Sequence, residues 1–527
     1  MLKPVSNKDN TRLYYFVARL ILVLGILQFI AQTSLLLNGI GYITSWLTID
    51  DTYYYLQTAW NFKEFGFPTF DGINPTNGVQ LLWFWIILLL AWGSPTKIFL
   101  LYTTIIVVAL LNTLCYWPIW QIGRLSGRPF LTLGLVGLWA LLSFGSNAYM
   151  IAMENSLHAF IFWLLIWQVY SFLINVHSIK TLLLLTILCI LNAWTRLDAG
   201  LFSAILYMYC IYVFLRHQSP PRLSRNNLKY IVPSVLLVLG LLIQLLTFKV
   251  MGGSYIPVSA LIKLTVSDFV KQSSVEILTS LAMPPMLRSP LTAPLGIVSI
   301  LFVGWHLFFT KYSYLNSSRV LRGLWGCLLV GAMGQLFAIA QTKVFFNWYL
   351  SPSFVFWIIT FAIFLDSIEF FAVRYFAHKS IRYAFIGLMV ILLLISPVQF
   401  GRRLTRNLSS NGHGLYTTRY NMALWMQTNL PANSVCASWN AGQLGYFSNC
   451  RVINLDGLIN SAEYYDHVLL GKVSLFEYFK ENNVSYLVDQ TNALERNAPN
   501  LLQLPLVTNF PIDGTGNAVA IWRIYQQ

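Results

Sequence analysis

"LLWFWIILLLAW", residues 81 to 92, is the stretch on which the threading of this chain turns. Its twelve residues would rise about 18 Å as a helix, well short of a bilayer's hydrocarbon core of about 30 Å. The run therefore predicts an interfacial or re-entrant helix, not a span. The other apolar runs, at about 14–37, 97–120, 129–148, 157–176, 181–195, 199–215, 230–248, 293–310, 323–341, 348–368 and 383–400, predict about eleven transmembrane helices. With the N-terminus in the cytoplasm, the inner loops carry Arg124 and Arg128, Lys180, "RHQSPPRLSRNNLK" (216–229), "KYSYLNSSRVLR" (311–322) and "RYFAHKSIR" (374–382). That is the Lys/Arg bias that orients membrane proteins, and counting 81–92 as a span would send every one of these clusters outside.

Composition agrees with the class. With 57% hydrophobic and 10% charged residues, the chain is too apolar for a soluble protein. Its net charge of +15 sits mainly in short clusters between apolar runs, which accounts for the basic residues without nucleic acid as a partner. The first run follows Lys3, Lys8 and Arg12 and is too long for the core of a cleaved signal peptide, so it predicts a retained helix. The expected location is the plasma (inner) membrane, with membrane lipids as neighbours.

From about Gly401 the chain turns polar. After the linker-like "SSNGHG" (409–414) come an amphipathic "RYNMALWMQTNL" and a strand-like "SYLVDQ". The expected organisation is a transmembrane domain, 1–400, and a soluble α/β domain, 401–527, placed outside the cytoplasm by the helix count. Cys115, Cys189, Cys210 and Cys327 lie in apolar spans, leaving Cys436 and Cys450 as the pair in the soluble part. A hairpin joining "NSVCASW" to "GYFSNC" would bring these two into disulfide range; two unpaired core thiols is the competing reading. The chain has no internal repeat, no Walker or dinucleotide glycine motif and no Cys/His zinc spacing.

The ionisable residues at the outer edge of the membrane are the candidates for chemistry. Asp50 and Asp51, in "TIDDTYYYLQTAWNF", are adjacent carboxylates in the first external loop. Like charges side by side raise one another's pKa, which suits proton abstraction from a hydroxyl; alternatively the pair caps the helix that follows. Glu154 stands at the outer start of a span, and Arg196 and Asp198 lie between two short apolar runs, lining a polar cavity or forming a structural ion pair. Lys249 and Lys263 bracket "KVMGGSYIPVSALIK", and Lys343 opens a stretch ending "NWYLSP". Outward-facing cations suit an anionic group such as a lipid phosphate, although lone lysines often only anchor at the interface.

The ordered set of "DD" after the first helix, "FDGINPTNG", "AMEN", "TRLDAG", "GGSYIPVSALIK" and "NWYLSP" resembles the multi-pass type C glycosyltransferases, especially their bacterial mannosyltransferase-like and arabinofuranosyltransferase-like members. The likeness covers about residues 10 to 400, and "NAGQLGYFSNCRVINLDGLINS" (440–461) is similar to the external domain of such proteins. It implies an inverting transfer of a sugar from a polyprenyl-phosphate donor to a hydroxyl of a glycan, lipid or protein on the outer face. By that resemblance Asp50 is the general base, Asp51 holds the site or a cation, and Glu154 is a further catalytic acid. Substrate contacts are expected at Asp71, Asn74 and Asn77 of the "FDGINPTNG" stretch, at Arg196, Asp198, Tyr255, Lys263 and Lys343, and at Trp348 and Tyr349. Two departures, Asp-Asp for Asp-Glu and "NPTNG" for a His-Pro-Pro element, weaken the case for a protein acceptor. A carboxylate pair could hold Mg²⁺ or Mn²⁺, but no metal is required for this chemistry. A lipid or ion transporter and an inactive receptor or scaffold are the rival classes; the transporter would call for two related halves, which the sequence lacks.

Overall fold

The computed structural model describes residues 7–145, 149–174, 179–217, 231–265, 293–309, 318–342, 347–376, 400–402, 404–408 and 414–524, with Gly387, Ile395 and Val398 as isolated positions. Among these, seven helices are long and apolar enough to cross a membrane, and four shorter apolar helices accompany them. The chain is a polytopic membrane protein with a small C-terminal sheet domain. The expected spans from the first through 348–368 fall on described apolar helices, whereas 383–400 lies almost entirely outside the described residues.

The membrane part runs α1 (Asn7–Ser34), then α2 (Asp50–Phe65) and α3 (Leu81–Gly93) in the first loop, followed by α4 (Lys97–Leu114), α5 (Tyr116–Ser126), α6 (Pro129–Gly145) and α7 (Asn155–Ile174). Next come α8 (Ile179–Thr195), α9 (Ala199–His217), α10 (Ile231–Gly252), the short α11 (Val258–Thr265), α12 (Ala293–Phe309), α13 (Ser318–Thr342) and α14 (Ser351–Phe376). Helix α3 is the run that decided the threading. Its 13 residues reach only about 20 Å. It buries Leu81, Trp83, Phe84, Ile87, Leu88 and Ala91 and packs against α2 and α4, with Phe84 edge-on to Phe62 at 6.1 Å. A helix apolar on all sides is stable there because protein covers one side and Leu89 and Trp92 face outward.

The C-terminal domain begins with α15 (Leu415–Asn429) and continues through β1 (Val435–Ser438), α16 (Gly442–Phe447), β2 (Arg451–Asn454), β3 (Tyr486–Gln490), β4 (Leu506–Pro511) and β5 (Ala518–Arg523). The five strands form one sheet in the order β2-β1-β3-β5-β4. β1 runs parallel to both β2 and β3, and β5 is antiparallel to β3 and β4. The expected hairpin between the two cysteines is therefore wrong: α16 carries the chain over to a parallel strand, with Cys436 opposite Val452. A parallel pair needs such a crossover, and "NAGQLGYF" supplies the helix.

Strand periodicity explains where this domain sits. Cys436, Val452, Tyr486, Val488, Val519 and Ile521 belong to a cluster shared with Tyr53, Phe84, Leu100 and Met422. Their alternate neighbours Ala437, Ile453, Leu487, Ala520 and Trp522 belong to a second cluster with Tyr478 and Leu501. One sheet face thus shares a core with the loop between α1 and α4 and the other is closed by the domain's own helices, so the domain is seated on α2 and α3.

Candidate active site

The first turn of α2 places the acidic pair. Ile49 is the N-cap, and the Thr52 hydroxyl accepts its N–H at 3.3 Å, so neither aspartate caps the helix. Asp50 is 8% exposed and turned into the domain seam. Its Oδ2 accepts the Gly442 N–H and its Oδ1 the Gln443 N–H, each at 3.0 Å, and the Arg419 guanidinium lies 3.7 Å from Oδ1. Gly442 has to be glycine, because a Cβ there would collide with the Asp50 carbonyl oxygen. Both oxygens of Asp50 thus accept from the C-terminal domain, and its carboxylate faces the seam between that domain and α2.

Asp51, about 100° further round the helix, lines a cavity of about 520 Å³ between the membrane helices and the loops that carry α2 and α11. Burial pushes its carboxyl up to about 6; Lys263 opposes the rise, and Asp50 and Glu154 add to it. The same wall holds Glu154, Arg196, Asp198, Lys263, Trp348 and Tyr349. Of the expected site, these residues are the ones the structure brings together with Asp51.

Arg196 is the hub of the acidic side. Its Nη1 donates to Glu154 Oε1 and Asn155 Oδ1 at 2.9 Å, while Nε and Nη2 each reach Asp198 at 3.1 Å. Against the effect of burial, Arg196 holds the Asp198 carboxyl below its ordinary value. Gln335 fastens Asp198 from α13, donating to it at 2.8 Å. With two carboxylates on one guanidinium, Arg196 has little charge left for a phosphate. Lys263 differs: its ammonium lies 4.8 Å above the Tyr349 ring. Burial would lower its pKa, but Tyr349 and Asp51 keep it above the ordinary value. Lys263 is the cation facing Asp51.

Several residues expected at the substrate make their contacts within the protein. Asp71 accepts the N–H groups of Ile73 and Asn74 at 2.8 and 2.7 Å and the Asn74 amide at 2.8 Å, so Asp71 and Asn74 hold their own loop in shape. Asn77 donates to the carbonyls of Phe248 and Ser254 at 3.1 and 2.8 Å and accepts from Val258 at 2.9 Å. It fastens the first loop to the start of α11, which carries Lys263. Tyr255 is 53% exposed, stands off the cavity wall and packs under Lys249. Lys343 lies outside the described residues. Cys436 and Cys450 are free thiols lying beside one another, not a disulfide.

The C-terminal domain also reaches the site, through residues that sequence reasoning missed. Leu458 lines the cavity, and its carbonyl packs so closely on Gly78 that a Cβ at 78 would overlap it. Next to it, burial pushes the Asp456 carboxyl up to about 8; the Leu458 N–H opposes the rise, and Asp51 and Asp50 add to it. The Tyr54 hydroxyl stands between Asp50 and Asp456, 3.3 and 3.4 Å from an oxygen of each. The signal for Asp456 lay inside "NLDGLIN", and for Gln335 in its being an amide in the middle of an apolar span. Among the described residues, no three His, Cys, Asp or Glu side chains converge as ligands to a metal ion.

Comparison with known proteins places this geometry on a familiar scaffold. Residues 406–524 match a family model described as a domain of unknown function, DUF8728. No curated protein sequence matches the chain. Its structure is similar to that of ArnT from Cupriavidus metallidurans bound to undecaprenyl phosphate, with a TM-score of 0.52 at 12% identity, covering 96% of this chain and 97% of that one. An oligosaccharyltransferase of Archaeoglobus fulgidus aligns with a TM-score of 0.45 at 13% identity, covering 89% of this chain and 67% of that one. The class is thereby defined: a multi-pass membrane protein with the type C glycosyltransferase fold.

Proposed function

We propose that this chain transfers a sugar from a polyprenyl-phosphate donor to an acceptor hydroxyl at the outer face of the plasma membrane. The observation that carries the reading is Asp51 facing Lys263 across one cavity at the membrane edge. Asp51 takes the acceptor's proton as its oxygen bonds to the anomeric carbon; the bond from that carbon to the phosphate oxygen breaks, and its electron pair leaves with the polyprenyl phosphate. Lys263 meets the charge on that leaving group. One displacement inverts the anomeric carbon and needs no covalent sugar intermediate. Undecaprenyl phosphate bound to the similarly folded ArnT supports a lipid-phosphate donor. The Lys/Arg-rich loops support a cytoplasmic N-terminus, with the domain after residue 400 outside. Charge compensation is assigned to Lys263 and not to Mg²⁺ or Mn²⁺, so transfer should survive chelation.

The test is Asp51→Asn in the full-length protein, which keeps the side chain's size and removes the base. Turnover with an undecaprenyl-phosphate-linked sugar should fall at least about a hundredfold while undecaprenyl phosphate still binds. Near-normal turnover in this variant would sink the reading.

A further inference from the structure

Helix α11 carries Lys263 and is only eight residues long, too short to keep its shape or direction by itself in water. What packs around it therefore decides where the ammonium points. Its residues divide between two sides at helical spacing. Ser259, Ala260, Lys263 and Leu264 line the cavity, whereas Val258 and Ile262, both fully buried, lie on the opposite side with Thr265 one turn further on. Asn77, in the loop between α2 and α3, accepts the Val258 N–H at 2.9 Å and fixes the start of this second side. The C-terminal domain holds the rest. Gly457 backs so closely on to α11 that a Cβ there would lie 2.7 Å from Ile262 Cδ1 and 2.6 Å from Leu469 Cδ1. Its φ of +80° lets the chain turn at that point without a side chain. The Tyr465 hydroxyl then donates to Thr265 Oγ1 at 2.9 Å. The segment that makes this seat is braced by its own hydrogen bonds: Asp456 accepts the Leu458 N–H at 2.8 Å, Asn460 donates to the Asn454 carbonyl at 2.9 Å, and Tyr464 donates to the Leu455 carbonyl at 2.8 Å. It is also anchored on the Asp51 side, where the Asn454 amide donates to the Tyr54 hydroxyl at 3.2 Å and the Leu458 carbonyl packs on Gly78. One stretch of the C-terminal domain thus touches both the helix of Asp51 and the helix of Lys263.

We propose that Gly457 and Tyr465 are positioning residues for the transfer: they seat α11 so that Lys263 is presented to the phosphate of the lipid-linked donor, at a set distance from Asp51. This rests on Lys263 being the partner of that phosphate. Neither Gly457 nor Tyr465 lines the cavity, so both act through Lys263. Without the seat, α11 is free to turn, and the ammonium leaves the phosphate and Asp51 together. The charged and titratable groups around Asp51 are Lys263 of α11, Asp50 and Tyr54 of α2, Glu154 before α7, Tyr349 before α14, and Tyr416 and Asp456 of the C-terminal domain. Lys263 is the one among them that holds the Asp51 pKa down. Weaker phosphate binding and an upward move of the acidic limb should therefore accompany each other.

Three measurements on the full-length protein test this. In the first, binding of undecaprenyl phosphate should weaken about tenfold in Gly457→Ala, which wedges a methyl group against Ile262, and about threefold in Tyr465→Phe, which removes one hydrogen bond. In a Lys263→Gln background neither substitution should weaken binding further, because the group through which they act is gone. Losses that multiply in full there would overturn the proposal, since they would reflect a general effect on the fold. In the second, the pH dependence of turnover with an undecaprenyl-phosphate-linked sugar is followed: the acidic limb near 6 should move upward in both variants, and a limb that stays in place overturns the proposal. In the third, hydrogen exchange is followed without ligand. The amides of 258–265 should exchange at least about fivefold faster in both variants. Unchanged exchange overturns the proposal whether or not the chain binds the lipid. Should Gly457→Ala fail to fold, Tyr465→Phe decides, because it leaves the backbone unstrained. If Lys263→Gln binds undecaprenyl phosphate as well as wild type does, the phosphate reading falls and this proposal with it. Weakened binding in Lys263→Gln beside wild-type binding in Gly457→Ala and Tyr465→Phe would remove this proposal alone.

Discussion

Asp50 and Asp51 are neighbours in sequence with opposite surroundings. On the seam side of α2, Asp50 has a donor on each oxygen and a guanidinium beside it. On the cavity side, Asp51 faces Lys263 across open space, and burial lifts its pKa to about 6. On the proposed function, the difference is a division of labour between joining two domains and taking a proton. Burial with few donors lifts a carboxyl toward neutrality, where a base is most useful, and Asp51 is the member of the pair placed that way.

The comparison is broken most sharply by exchanging the two losses. Asp51→Asn should lower turnover by about 10² to 10⁴, leaving the fold intact. In wild type the rate should fall as pH drops below about 6, because the base must be ionised to work. Asp50→Asn should act on stability instead. It removes one acceptor and the charge facing Arg419, costing about 2 to 3 kcal/mol. The measurement is limited proteolysis, with the C-terminal domain cut earlier than in wild type and the acidic limb of any remaining activity unmoved. Should Asp50→Asn move that limb and Asp51→Asn leave it in place, the assignment would be reversed.

A smaller effect sharpens the cavity side. Lys263→Gln should weaken binding of undecaprenyl phosphate about tenfold. Since the Lys263 charge holds the Asp51 pKa down, its loss should also shift the acidic limb upward. Equal binding by wild type and variant would remove Lys263 from the phosphate site. The smallest effect is expected at Tyr255, which is 53% exposed and off the cavity wall: Tyr255→Ala should change turnover by less than about twofold. A larger loss would mean that the substrate extends past α11.

Much of this was legible beforehand because it depends on local pattern. Span lengths, the shortfall of 81–92, the amphipathic α15 and strand β3 follow from counting apolar residues at fixed periods. The cavity's acids, its cations and the aromatic pair Trp348 and Tyr349 were also visible, since ionisable groups at membrane depth and outward-facing cations are both unusual in sequence. Asn77 and Asp71 looked like substrate contacts because polar residues in a glycine-rich loop read the same way whether they hold a ligand or the loop. The cysteine hairpin failed because α16 is only six residues long and carries little helical periodicity; the short segment between the two strands looked like a turn.

What the sequence determined by itself was the class of molecule: a basic, many-span membrane protein with a polar α/β end and acidic residues at the edge of its spans. Which carboxylate faces the cavity and which faces the domain seam was decided only by tertiary structure. One residue step turns a side chain about 100° round a helix, so the roles of Asp50 and Asp51 depend on what packs against each side of α2. The packing partner, Gly442, is 392 positions away, and no local periodicity carries that distance.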